Sequence, residues 1–284
     1  MAGWIRGAAV LAGVVAGGAA ALATAGNRSW KRATARVVEK LERRASPTAA
    51  GTVVSEGALP APVARYFAFA LGAEQPRVRS ARIEHTGEFR TDGSDAGWRP
   101  FRSVQHFTTD PPGFVWDAAI RMAPFLEVRV RDSYVDGRGS MLGKLAGVVP
   151  VVDQQGTAEL AAGALSRWLG EAVWFPTALL PRPGLAWEAV DRRTARATLT
   201  DAGNTVSMDC RFGDDGRIVG VTAERYRDVD GVGVLTPWQV EFDEYEEFGG
   251  MRIPASAEVA WILSGRRSAY WRGRVSRADY RFFP

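Results

Sequence analysis

Val206, Met208, Cys210 and Phe212 alternate with Ser207, Asp209 and Arg211, and Trp238, Val240 and Phe242 alternate with Gln239, Glu241 and Asp243. A period of two buries one face of a strand and leaves the other wet. Turn-forming clusters punctuate the same region: Asp201-Ala202-Gly203-Asn204, Gly213-Asp214-Asp215-Gly216, Asp230-Gly231, Gly249-Gly250 and Ser264-Gly265. Strands joined by such turns form an antiparallel meander, and their spacing leaves no room for the crossovers of a parallel sheet.

The same pattern extends toward the N-terminus. Strands are expected at 77–90, 98–109, 113–121 and 125–135, separated by Asp92-Gly93, Pro111-Pro112-Gly113 and Asp136-Gly137. Two helices interrupt it. Pro62 suits a first turn, and Val63, Tyr66, Phe67, Ala70 and Leu71 follow at helical spacing. Thr157 caps a second helix over 158–169, with Leu160, Ala161, Ala164, Leu165 and Trp168 as its apolar stripe. A long sheet with one apolar face and two or three helices must curl to hide that face. The expected fold is therefore mainly β (α+β): a large curved antiparallel sheet, as an open half-barrel or a barrel, spanning 61–284. Either shape leaves a concave apolar space suited to a ligand.

The first sixty residues differ. From Gly7 to Ala25 there are 19 residues without a charge, enough to cross a hydrocarbon core of about 30 Å. Residues 1–27 thus read as an N-terminal transmembrane or signal helix. The length favours a retained signal anchor, and Ala23-Thr24-Ala25 offers a cleavage site for a signal peptide. Residues 28–45 form a basic juxtamembrane helix. Ser29 can cap it, and Trp30, Ala33, Val37 and Leu41 share one face. Seven of residues 28–44 are Arg or Lys against Glu39 and Glu42, a composition suited to anionic headgroups or simply to a solvated face. Residues 46–60, small and rich in Pro and Gly, read as a linker. A membrane-anchored protein of the bacterial cell envelope is the expected localisation. The cleavage-like site favours the extracytoplasmic side and the basic residues after the span favour the cytoplasm.

The rest of the chain is near neutral: the formal charge of +4 comes from the 28–44 segment. That excludes the basic footprint of a nucleic-acid binder. With one cysteine, Cys210, no intramolecular disulfide can form. His85 and His106 are the two histidines, and neither belongs to a zinc motif. No nucleophile elbow, P-loop or dinucleotide fingerprint is present. No catalytic residue and no cofactor is therefore assigned.

Two constellations carry the candidate ligand-binding residues. In FLEVRVRDSYVDG, Arg129 and Arg131 share one strand face, and Asp132 and Tyr134 share the other with Val128 and Val130. A carboxylate on an apolar face must be paired, so Asp132 is expected to meet an arginine. In SRWLGEAVWFPTALLP, Arg167 and Glu171 stand four apart, and Trp174 opens a segment stiffened by Pro176 and Pro181. That segment reads as core packing or as a lid. Ten tryptophans are many for this length, and Trp116 and Trp238 are added as pocket-lining candidates.

LPAPVARYFAFALG, WRPFRSVQHF, GFVWDA, VRVRDSYVDGRG, RWLGEAVWFPTALL, TPWQVEF and GMRIPASAEVAW occur in that order. As a set they resemble an uncharacterised bacterial family catalogued as a domain of unknown function, over roughly residues 58–282. FDEYEEFGGMRIPASAEV is similar to the recurrent strand–turn–strand unit of periplasmic lipoprotein carriers. That likeness implies a curved sheet around an apolar cavity plugged by helices. Three functions follow. The first is a membrane-tethered binding module for a lipid or other apolar molecule. The second is a membrane-associated enzyme using Asp132 and Glu171, and the third a structural envelope protein. Oligomeric state is left open.

Overall fold

In the computed structural model, residues 2–46, 59–90 and 97–284 are described, with side chains from residue 22 onward. The Asp92-Gly93 turn, the side chains of the uncharged run up to residue 21 and nearly all of the 46–60 linker lie outside the described residues.

Among the described residues, thirteen strands form one sheet in which every neighbouring pair is antiparallel. The chain enters at the centre with β1 (Val78–Phe89). It steps outward through β2 (Arg99–Thr109), β3 (Pro112–Ala123), β4 (Leu126–Val135) and β5 (Arg138–Leu145) to the edge strand β6 (Val149–Gln155). A helix, α3 (Ala158–Glu171), and two 3-10 turns (Ala172–Trp174 and Pro176–Leu179) carry it to the other edge, β7 (Leu185–Ala189). From there β8 (Thr194–Asp201), β9 (Asn204–Phe212), β10 (Ile218–Val229), β11 (Val232–Phe248), β12 (Met251–Leu263) and β13 (Arg266–Phe282) step back inward, and β13 pairs with β1.

The sheet curls around α3, which touches β3, β4 and β5 from one half and β9, β10 and β11 from the other. The edges β6 and β7 do not pair, so the result is an open half-barrel. Side chains draw the halves together instead: Gln154 Nε2 donates to Asp228 Oδ2 at 2.7 Å, and Tyr134 Oη donates to Asp201 Oδ2 at 2.7 Å. Alternation sets what faces inward. Met208, Cys210 and Phe212 are buried while Ser207 and Arg211 are exposed, as the period of two requires. Thr157 Oγ1 accepts from the Leu160 amide and caps α3, whose Ala161, Ala164, Leu165 and Trp168 face the core. α2 (Ala61–Ala70) covers one end, with Val63, Tyr66 and Phe67 buried and Tyr66 against Phe212.

The N-terminal helix is one continuous element, α1 (Ala2–Arg44). Ser29 therefore lies within a helix and caps nothing. No breaker interrupts residues 27–44, so helix propagation costs less than a new nucleus. The stripe read from the sequence is turned onto the convex face of the sheet. Trp30 and Leu41 are buried, and Leu41 packs on Val115 and Val135. Gly113 permits this approach, since a Cβ there would stand 2.6 Å from Leu41 Cδ1. Trp30 Nε1 donates to Asp117 Oδ1 at 2.8 Å. The basic residues Arg28, Lys31, Arg32 and Arg36 point outward and are exposed. Among the residues whose side chains are described, from 22 onward, no helix is long and apolar enough to cross a membrane.

Candidate functional site

One rung of the sheet runs through Gln105 on β2, Trp116 on β3, Asp132 on β4 and Met141 on β5, paired in that order. Their shared parity aims them at the concave face. α3 crosses above, and its last turns bring Arg167 and Glu171 down onto the rung. Arg167 Nη1 donates to Asp132 Oδ2 at 2.8 Å, and Arg167 Nε donates to Glu171 Oε1 at 2.9 Å. Gln105 Nε2 donates to Glu171 Oε2 at 2.7 Å. The guanidinium lies 4.7 Å from the Trp116 ring and 5.1 Å from the Phe114 ring, within cation–π range.

Charge is concentrated here in a nearly dry place. Burial works against the Arg167 cation, but Glu171 and Asp132 outweigh it and hold its pKa above the usual value. Burial pushes the Glu171 carboxyl up, and Arg167 and Gln105 pull it only part of the way back.

Next to this cluster sits His85, whose ring centroid is 4.5 Å from that of Trp174 and 5.8 Å from that of Trp271. Burial, assisted by the nearby Arg167, lowers its pKa to about 3, so the imidazole is neutral. Among the described residues, neither ring nitrogen has a hydrogen-bond partner, and neither do Ser103 Oγ, Gln105 Oε1 or the indole nitrogens of Trp116, Trp174 and Trp271.

Beside these groups lies a cavity of about 840 Å³ between α3 and the sheet. Trp116, Ile120 and Val130 line one side, Trp238, Val240 and Val259 the other, and Trp174 and Trp271 stand between them. Trp238 Nε1 donates to Tyr270 Oη at 3.0 Å, and Arg225 lies 5.3 Å from the Trp238 ring while donating to the Gly163 carbonyl.

Of the candidates named from sequence, Trp116, Asp132, Arg167, Glu171, Trp174 and Trp238 all line this cavity. Arg129 and Arg131 do not. They occupy the convex face, where Arg129 pairs with Glu127 and Arg131 donates to Thr34 Oγ1 under α1, with its guanidinium 5.2 Å from the Trp30 ring. Tyr134 faces inward but is consumed by its bond to Asp201. The Trp174–Leu179 segment is buried throughout and packs as core. Sequence reasoning missed Gln105 and Tyr270, and it leaves Trp271 undistinguished among the strand tryptophans. The alternation of Phe101, Ser103, Gln105 and Phe107 on β2 held the signal for the first. His106 lies on the outer face, 4.0 Å from Glu42. Among the described residues no three His, Cys, Asp or Glu side chains gather as a metal site would require.

Fold and site together define a curved-sheet half-barrel with a polar cluster set into the wall of an apolar chamber. Residues 57–280 match the model of a family of unknown function (DUF6920), and the chain belongs to that family. No curated protein matches it. Among solved structures, it is similar to a LolA superfamily protein from Nitrosomonas europaea at 11% identity and a TM-score of 0.41, covering 78% of this chain and 93% of that one. It is also similar to a beta-barrel-like protein of domain of unknown function DUF1849 from Brucella abortus at 13% identity and a TM-score of 0.24, covering 72% and 99% of the two chains.

Proposed function

We propose that this protein is a binding module that holds a lipid or other apolar molecule in the concave face of its sheet and is tethered to a membrane of the cell envelope by its N-terminal segment. The observation that carries this reading is the cavity itself. At about 840 Å³, it falls within the range of roughly 300–1,000 Å³ typical of small-molecule sites. Aromatic and aliphatic side chains form most of its wall, and Asp132, Arg167 and Glu171 supply a few placed polar groups that would orient a ligand. A purely structural envelope role requires no such chamber. The tether is supported by the 19 uncharged residues ahead of the basic stretch.

Native mass spectrometry of the full chain, extracted in mild detergent, tests the reading alongside uptake of a fluorescent fatty acid. Co-purified apolar mass or saturable uptake is expected. A protein that is empty and takes up nothing would overturn it.

One observation favours a second reading, a membrane-associated enzyme: Asp132 and Glu171 converge on the same guanidinium at the cavity wall, and buried carboxylates can serve in proton transfer. It differs in requiring turnover, seen as a change in mass of a bound lipid that Glu171→Gln abolishes.

A further inference from the structure

Strand register defines two ends of the half-barrel. Phe89 pairs with both Arg99 and Trp271, and Val259 with both Trp271 and Val240. The hairpins at 124–125, 146–148, 230–231 and 264–265 therefore project from one end, here the rim, and those at 136–137, 213–216 and 249–250 from the other.

The rim carries side chains that water does not favour. Phe125, Val148, Val149, Val151, Val232 and Leu235 are all exposed. Among the described residues, large exposed apolar side chains gather at this end, with Val190 the exception at the other. Clusters of this kind mark contact surfaces. The cavity extends to the same end, where Arg90, Asp228, Gly231, Val232 and Leu263 line it.

α1 also reaches this rim. A Cβ at Gly26 would stand 3.1 Å from the Gly147 carbonyl oxygen and 3.2 Å from that of Ala146. Toward the N-terminus from there lies the run without charge, residues 7–25. In the other direction, the exposed Arg28, Lys31, Arg32 and Arg36 form a basic collar just behind the rim.

We propose that the rim docks on an anionic lipid bilayer, its apolar hairpins entering the headgroup region and the collar of arginines and lysine meeting lipid phosphates. The cavity mouth then faces the bilayer, and an apolar ligand passes between membrane and cavity without crossing water. This rests on the binding reading above. A bilayer is the occupant that fits because apolar tips, a basic collar and an uncharged helical run meet at one end, the arrangement of interfacial membrane contacts.

Cys210 is buried, so a cysteine introduced on the surface can be labelled alone. Phe125→Cys, Val149→Cys and, as control, Val190→Cys are made in the full chain, labelled with an environment-sensitive dye and reconstituted in vesicles of phosphatidylcholine and phosphatidylglycerol containing doxyl-labelled lipid. Quenching at positions 125 and 149 is expected to exceed that at 190 by about threefold or more. Equal quenching at all three, or none at 125 and 149, would overturn the docking, including in favour of a protein partner for the rim. In parallel, Phe125→Asp combined with Val149→Asp is expected to slow uptake of a fluorescent fatty acid from vesicles by about tenfold while leaving uptake from detergent unchanged. Unchanged uptake from vesicles would overturn the transfer route. If the unsubstituted chain takes up nothing even from detergent, it is the binding reading that fails, and the quenching result still decides the docking.

Discussion

Arg167 on α3 reaches across the cavity wall to Asp132 on β4, Nη1 to Oδ2 at 2.8 Å, and both side chains are largely withdrawn from water. Removing the guanidinium alone would leave Asp132 and Glu171 buried without a counter-charge. Arg167→Met is expected to cost about 3–5 kcal/mol, the usual consequence of breaking a buried pair from one side. Adding Asp132→Asn and Glu171→Gln to it should recover most of the loss. Urea unfolding midpoints of the single and triple variants measure both.

His85 gives the fold a pH dependence of defined sign. Its pKa is about 6.5 when unfolded and about 3 when folded, so between those values the unfolded chain binds the extra proton. Its contribution is fully present above about pH 6.5 and is lost as pH falls toward 3, with a slope approaching about 1.4 kcal/mol per pH unit. His85→Met, close in volume, should flatten the decline between pH 6.5 and 5. Because neither ring nitrogen is hydrogen-bonded, that variant should lose little at pH 7.5. Unfolding midpoints at pH 7.5, 6.5 and 5 decide it.

Filling the chamber should separate binding from folding. Val259 lines the cavity and is only partly buried. Val259→Trp is expected to reduce fatty-acid uptake by about tenfold or more while shifting stability by less than about 1.5 kcal/mol, since the added volume enters open space instead of packed core. Uptake titrations and thermal unfolding on the same sample test this.

The docking of α1 depends on Trp30, which is buried against β3 and donates to Asp117. Trp30→Ala should loosen the helix from the convex face without unfolding the sheet. Faster trypsin cleavage at Arg32 and Arg36 is the expected sign, read by mass spectrometry of the first fragments released.

The sequence made β9 and β11 plain because these strands are wet on one side, and the alternation survives in the residue types. It was least informative at β6, whose Val149–Gln155 is exposed on both faces and so carries no period at all. The local pair Arg167–Glu171 could be read from spacing alone, as could the need of Asp132 for an arginine. That the two needs are met by one guanidinium was not legible, since 35 positions separate Asp132 from Arg167 and only the curl of the sheet joins them. Parity puts Arg129 and Arg131 opposite Asp132, and the helix that covers Arg131 on the convex side does so with the face that carries Trp30 and Leu41.

The pairing of β1 with β13 has a bearing on how the chain is made. While a ribosome is still working through the later strands, β1 presents a bare row of amides and carbonyls with nothing to bond. Such an edge invites pairing with a neighbouring chain. The two meanders can each zip locally, but their joining waits on β13, the last of the thirteen strands, which makes seam closure the slow, high-contact-order event. Nascent chains stalled before β13 should therefore be the form that chaperones hold longest.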